Sequence, residues 1–243
     1  MQPKLDFTAA WNDALALLKG NLETILPIIG VLVLLPSIIM GYMVPDPVID
    51  PASADGGSAV LLQYFSDLAP WIILSAILSI FANATIYALV FNASRPTVGE
   101  AFAIGATFFI PMLLAGLLSS IAAFVGLIFL IVPGIYLSIK FSLVGPAIVA
   151  ENIKNPIAAL SRSWALTKGN SLYIFAFFLI IGIVGVIAII VLAMIFAAIF
   201  TMVLPAAAAA FAALIVESIL GAVMTTLILF IVLAIYRQLS ASN

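Results

Sequence analysis

Residues 108–150 read FFIPMLLAGLLSSIAAFVGLIFLIVPGIYLSIKFSLVGPAIVA, 43 consecutive positions in which Lys140 is the one charged side chain. A single helix of that length would extend about 65 Å at 1.5 Å per residue. The hydrocarbon core of a bilayer is only about 30 Å thick, so one crossing cannot use up the run. The stretch must fold back on itself, and the reversal is expected within Ala123–Leu127, around Gly126. Two spans result, at about 107–124 and 127–150.

The rest of the chain is of the same kind. Of 243 residues, 66% are apolar and 7% charged. Soluble domains carry roughly 45–50% apolar and about 25% charged residues, so this composition could not cover a globule with polar groups. Soluble enzymes, nucleic-acid binders and disordered chains are excluded. The fold class that remains is an all-α polytopic membrane protein.

Upstream, Thr24–Met43 is an uncharged run of 20 residues, long enough to cross. A signal peptide fits it poorly, because Asp6, Asp13 and Glu23 precede it and it exceeds an h-region of about 7–15 residues. Ala52-Ser53-Ala54 resembles a cleavage site, but an uncleaved span is the expectation. Pro45–Asp67 reads as a loop rich in Pro, Asp, Ser and Gly. The second span, 68–92, opens with Pro70-Trp71, and Ser94-Arg95-Pro96 ends it. Downstream of the polar interlude Glu151–Ser171, the fifth span covers 172–200. Residues 201–210, with Pro205, turn the chain into the sixth span, 211–236.

Six crossings place both termini on one side. Lys4, Lys19, Arg95, Lys154, Arg162, Lys168 and Arg237 fall on that side. The loop holding Asp46, Asp50, Asp55 and Asp67 lies opposite, with no basic residue. By the positive-inside rule, the termini are expected in the cytoplasm, in a bacterial inner membrane.

The polar interludes carry helical patterning. Phe7, Ala10, Trp11, Ala14, Leu15 and Leu18 share one helical face, which predicts an amphipathic helix over 7–19. Thr97 and Glu100 have capping-box spacing ahead of a second, over 97–106. Asn155 as N-cap, Pro156 at the first position, Lys168 near the end and Gly169 as the stop predict a third, over 156–168. Residues 9–21 (AAWNDALALLKGN) align without gaps on 158–170 (AALSRSWALTKGN), with identity at positions 9, 10, 16, 17, 19, 20 and 21. Three units are expected, each an amphipathic helix on the inner face followed by a transmembrane hairpin.

Residues 133–170 carry further signals: Pro133-Gly134 before an aliphatic stretch with Tyr136, Pro146 followed by aliphatics and Glu151, then Ala159-Leu160, Ser163-Trp164 and Leu166-Thr167-Lys168-Gly169. On these motifs the chain resembles the membrane domain of glycerophosphoryl diester phosphodiesterases and related six-span bacterial inner-membrane proteins. The resemblance implies a membrane location. It does not bring activity with it, because the catalytic part of those enzymes is a separate soluble barrel that relies on His and acidic metal ligands. This chain has no His and no room for a barrel.

The chain also has no Cys. Together the two absences remove disulfides, thiol nucleophiles, Cys/His metal sites and imidazole-based triads, so no catalytic residue, metal or cofactor is expected. The candidate ligand-binding residues are Lys140, Glu151, Arg162, Trp164 and Lys168. Along a straight helix Lys140 lies about 16 Å from Glu151, inside the bilayer. It reads either as the partner of an anionic headgroup or as a lysine that snorkels to the interface past a bend at Gly145-Pro146. Arg162 and Lys168, with Lys154, either bind anionic headgroups or set topology, with a local salt bridge to Glu151. Trp164 and Trp11 suit interfacial anchors.

Glu217 precedes Arg237 by about 30 Å of helix and belongs near the outer interface. Gly116, Gly126, Gly134, Gly182, Gly185 and Gly221 are expected to let helices approach closely. Pro111, Pro133 and Pro146 are expected to kink the central hairpin.

The functional expectation is a non-enzymatic, lipid-interacting or membrane-organising module. Its partners would be membrane lipids with anionic headgroups, other proteins or further copies of itself, and not nucleic acid. The alternative is a transporter or channel for a lipid-like or small amphipathic substrate.

Overall fold

The computed structural model describes residues 4–48, 57–92 and 96–241, and the elements among them are all helical. Asp50, Asp55, Ala52-Ser53-Ala54, Ser94 and Arg95 lie outside the described residues. Six stretches are long and apolar enough to cross a membrane: Phe7–Met43, Ser58–Phe91, Val98–Phe129, Ile131–Ala150, Ser171–Val203 and Ala206–Ser240. Their surfaces agree with that reading. Of the 33 residues of the fifth, only Ile174, Phe177 and Ile181 are buried, and its large exposed side chains are Leu, Ile, Val, Met and Phe. Such a surface is compatible with a multi-pass membrane protein.

The first stretch is one rod of 37 residues. It comprises α1 (Phe7–Ile29), a π-helical turn at Gly30–Leu34 and α2 (Leu35–Met43). Asp6 starts it, accepting a hydrogen bond from the Ala9 N–H at 3.0 Å. The widened turn sits just before Pro36, whose missing N–H interrupts the ordinary helical ladder. The separate helix expected over 7–19 is therefore not a separate element. Nothing between Lys19 and Glu23 stops the helix, and Gly20 and Asn21 are themselves helical.

Helix α3 (Ser58–Phe91) starts ten residues earlier than the expected span, so Ser58–Asp67 is helix and not loop. Gln63 donates to the Asp67 carboxylate at 2.8 Å, an i,i+4 pair on one helical face. Helix α4 (Val98–Phe129) has the predicted capping box, with the Thr97 N–H donating to Glu100 at 2.8 Å and the Glu100 N–H to the Thr97 hydroxyl at 3.4 Å. It absorbs both 97–106 and 107–124 in one helix, because no breaker separates them.

The reversal lies at Leu130, a single extended residue, and not at Ala123–Leu127. Pro133 explains the shift, since proline is best accommodated in the first turn of a helix, where its missing N–H has no role. Helix α5 (Ile131–Lys140) accordingly begins two residues before Pro133. Gly126 and Gly134 make the reversal possible: a Cβ on Gly126 would lie 2.9 Å from the Gly134 Cα. Gly105 likewise admits the Thr85 backbone, at 2.9 Å from its ideal Cβ. Gly116, Gly182 and Gly221 do not match the packing role expected of them, since nothing lies within 4 Å of a Cβ there.

Helix α5 stops at Lys140, and three turn residues separate it from α6 (Val144–Ala150). The break is at Phe141–Leu143, not at Gly145-Pro146, for the same reason as before: Pro146 occupies the first turn of α6. Helix α7 (Pro156–Leu166) is short and separate. Helices α8 (Ser171–Val203) and α9 (Ala206–Ser240) follow, linked by Leu204-Pro205. The turn expected over 201–210 shrinks to those two residues, because the alanines after Pro205 are strong helix formers.

The core is concentrated at one end. Leu229–Leu239 of α9, Ala82–Leu89 of α3, nearly all of α6, and Ala10 and Ala14 of α1 supply its buried side chains. The N-terminal segment meets the rest at this end. The Leu5 N–H donates to the buried Asn170 side chain at 2.9 Å, and Asp13 pairs with Arg237 at 3.1 Å.

Candidate functional site

Helix α7 lies against the α5–α6 break and organises the polar residues of that end. Asn155 caps it, its side-chain oxygen accepting from the Ile157 N–H at 2.9 Å and the Ala158 N–H at 3.4 Å. Pro156 takes the first helical position. At the other end the Thr167 hydroxyl donates back to the Ser163 carbonyl at 2.9 Å. Gly169 then adopts φ 82°, the left-handed conformation that glycine accepts without strain.

The buried face of α7 is Ala159, Ser163 and Leu166. Ser163 is fully buried, and its hydroxyl joins the helix to the break. It donates to the Lys140 carbonyl at 2.7 Å and accepts from the Leu143 N–H at 3.2 Å. Ending α5 leaves such backbone groups without helical partners, and one hydroxyl satisfies two of them. Its proton is thereby committed to a carbonyl.

Lys140 is only 2% exposed. Its ammonium lies 5.0 Å from the Trp164 ring centroid and 5.5 Å from that of Tyr136. The two rings meet edge to face, with centroids 5.9 Å apart. Both ring faces attract a cation. The side chain is almost wholly covered, with these two rings beside its ammonium. Because the helix breaks after Lys140, the straight-helix distance of about 16 Å to Glu151 does not apply.

Among the described residues no carboxylate pairs with Lys140; the ion pairs there are Glu151–Arg162 and Asp13–Arg237. Lys168, four residues beyond Trp164, carries a charge of the same sign. Lys168 is exposed and has no carboxylate partner among the described residues either. Trp164 and Tyr136 are 41% and 44% exposed, so the rings that cover Lys140 also form the outer surface.

Glu151 has its charge met. The Arg162 Nε donates to both of its oxygens at 2.8 Å, and the Tyr236 hydroxyl of α9 donates to one of them at 2.8 Å. The local salt bridge anticipated from sequence is therefore present. The five candidates thus divide around one short helix: Lys140 beside Trp164, and Lys168, have no carboxylate partner among the described residues, whereas Glu151 is paired with Arg162.

Sequence reasoning missed the functional parts of Tyr136, Ser163 and Tyr236. Tyr136 was findable, since it lies one helical turn before Lys140. Tyr236 was not, because its partner is 85 residues away.

Elsewhere, a hydrogen bond to Tyr173 raises the Lys4 pKa above the usual lysine value. Glu217 is exposed and lines a separate cleft of about 420 Å³ with Ser37, Asp46, Tyr64, Ser218 and Thr225. The Tyr64 hydroxyl donates weakly to Asp46 at 3.4 Å there.

No curated protein and no solved structure matches the chain. A family model does match, over residues 57–239, from the start of α3 almost to the end of α9 and so over more than half of the 243 residues; the chain belongs to that family, described as a domain of unknown function, DUF7847.

Proposed function

We propose that this protein is a non-enzymatic integral membrane module that binds anionic lipid headgroups at the face carrying α7. The observation that supports it is Lys140, an almost fully covered lysine with aromatic rings beside its ammonium and no carboxylate partner among the described residues. An uncompensated charge in a low-dielectric surrounding is costly, and intramembrane cations are ordinarily paired. A phosphate-bearing headgroup supplies the missing anion.

In this reading the six apolar helices are three hairpins. The polar starts of α1 and α4, together with α7, lie along the cytoplasmic face of a bacterial inner membrane, and both termini are cytoplasmic. The seven basic residues on that side are the positive-inside signal. The resemblance to the membrane domain of glycerophosphoryl diester phosphodiesterases fits a module that works without a catalytic barrel. The commitment of the Ser163 hydroxyl to a backbone carbonyl fits a site that binds without reacting.

Gentle detergent extraction followed by lipid mass spectrometry tests the proposal. Anionic phospholipid should co-purify with the wild-type protein and be depleted from a folded Lys140→Met variant. Equal anionic lipid on both would overturn it. A second reading, a transporter or channel for a lipid-like or small amphipathic substrate, draws on the polar cleft at Asp46, Tyr64 and Glu217. It requires flux in proteoliposomes that Glu217→Gln abolishes.

A further inference from the structure

Where α1, α8 and α9 meet, the surface carries a groove of about 510 Å³. Trp11 and Phe177 stand at one end and Leu192 and Leu220 at the other, and the side chains between them are apolar. The sequence of α8 opens it: Ala188 lies one turn after Gly185, so that face carries almost no side-chain bulk. Met224 of α9 uses the room at Gly185, its sulfur 2.6 Å from where a Cβ would stand, and gives the groove an adaptable lining.

From Phe177 to Leu192 is about 22 Å of helix at 1.5 Å per residue. Spread over that length, the groove has a section of roughly 23 Å², about 5 Å across. A single file of methylene carbons, with contacts at about 3.5–4.0 Å, fills such a channel. An α-helix about 10–12 Å in diameter is too wide for it.

The end at Trp11 leads to a cation. Phe7 stacks on Phe177 with ring centroids 5.0 Å apart and meets Tyr173 edge to face at 6.4 Å. The Lys4 ammonium lies 5.4 Å from the Tyr173 ring centroid. Lys4 is exposed and has no carboxylate partner among the described residues, since the Asp6 carboxylate near it in sequence caps α1. A positive charge above a channel one hydrocarbon chain wide is complementary to an amphiphile with a negative head and a long tail. We infer that the groove between α8 and α9 holds one acyl chain of an anionic phospholipid whose headgroup pairs with Lys4. This site is additional to the one at α7 and uses neither Lys140 nor Trp164.

Trp11 reports on the mouth of the groove. The chain has three tryptophans, Trp11, Trp71 and Trp164, so a Trp71→Phe, Trp164→Phe background leaves Trp11 as the sole emitter. The full-length protein is placed in phosphatidylcholine vesicles containing rising fractions of phosphatidylglycerol or phosphatidylcholine brominated along the acyl chains, and quenching is recorded. Brominated phosphatidylglycerol should reach half-maximal quenching at about a fivefold lower fraction, the effect of one basic residue near the membrane surface. Lys4→Gln should bring the two curves together. Ala188→Phe places a ring in the groove at an exposed position, away from the core. It should cut the preference to less than half, because a lipid that cannot seat its chain is not held beside Lys4, and its melting temperature is measured to confirm that it folds.

Coincident curves before any change at Lys4, or a preference that survives Lys4→Gln, would overturn the pairing. A full preference in Ala188→Phe would overturn the groove as the seat of the chain. Quenching that falls as the protein-to-lipid ratio rises would mean that a second copy covers the groove, and would overturn the inference as well. The α7 function is tested separately, by the lipid content of Lys140→Met.

Discussion

Residues 9–21 and 158–170 share seven of thirteen residues and have opposite outcomes. Both end in Lys-Gly-Asn, yet the first runs on as helix into a 37-residue rod and the second stops. Their first halves pack alike, with Ala10 and Ala159 buried and also Ala14 and Ser163, but Leu166, Thr167 and Asn170 are buried where Leu17, Leu18 and Asn21 are only partly so. Two of the differences follow from residues that differ. Ser163 stands in for Ala14 and fastens α7 to the α5–α6 break. Thr167 stands in for Leu18, and its hydroxyl bonds back to the Ser163 carbonyl at the C-terminal end. Asn170 accepts from the distant Leu5 N–H, whereas the Asn21 side chain donates to Leu17 in its own helix at 2.7 Å. A helix end is set here by which polar groups find partners outside the helix, and the glycine follows that choice.

The sharpest way to break the comparison is to make the second copy like the first at its buried polar position. Ser163→Ala orphans the Lys140 carbonyl and the Leu143 N–H, each at a cost of roughly 1–3 kcal/mol. It should give the largest loss of thermal stability in detergent, and it should loosen the Trp164 environment as read by fluorescence. The reverse change, Ala14→Ser, orphans nothing and should cost less than about 1 kcal/mol, since its hydroxyl can bond back to its own helix. Equal effects of the two changes would show that Ser163 does not carry the break.

The two glycines should respond with opposite signs. Gly169→Ala forces a side chain into the left-handed region and should destabilise by about 1–2 kcal/mol. Gly20→Ala sits in mid-helix with nothing within 4 Å of the new Cβ. It should stabilise by roughly 0.5–1 kcal/mol, the usual advantage of alanine over glycine there. Parallel melting curves of the two variants check this, and a shift of both in one direction would contradict it.

The same pair of segments marks how far the sequence could be read. The number of membrane-length helices follows from apolar run lengths alone, because oil tolerates few charges. The ends of α7 were legible because Asn155, Pro156 and Gly169 act within a turn of themselves. The continuity of α1 was not, since Lys19-Gly20-Asn21 looks like a stop, whereas the Asn21 side chain bonds back to Leu17 within the helix. The reversal at Leu130 and the break after Lys140 were each misplaced by a few residues. In both, a proline that reads as a kink instead occupies a first turn. Lys140, Trp164 and Lys168 could be picked as candidates from charge and position. That Ser163 would bring them to one helix depended on a contact across 23 residues, which no local pattern encodes.

The smallest expected effect concerns the aligned charges Asp13 and Arg162, which are opposite in sign and tie to neighbouring residues of α9. Asp13 pairs directly with Arg237, while Arg162 acts through Glu151, which binds the Tyr236 hydroxyl. The Asp13–Arg237 side chains are 36% and 48% exposed, and those of Glu151 and Arg162 are 29% and 32%. Exposed pairs are weakened by solvent and salt and contribute about 0.2–1 kcal/mol. Double-mutant cycles should therefore give a coupling near the lower end for Asp13–Arg237. Glu151–Arg162, with Nε reaching both carboxylate oxygens and a third partner in Tyr236, should couple more strongly and depend less on salt. Tyr236→Phe should remove roughly 0.5–1.5 kcal/mol, the net worth of one hydrogen bond. A cycle in which the more exposed pair is the stronger would mean that the first copy, and not the second, is what fastens the end of α9.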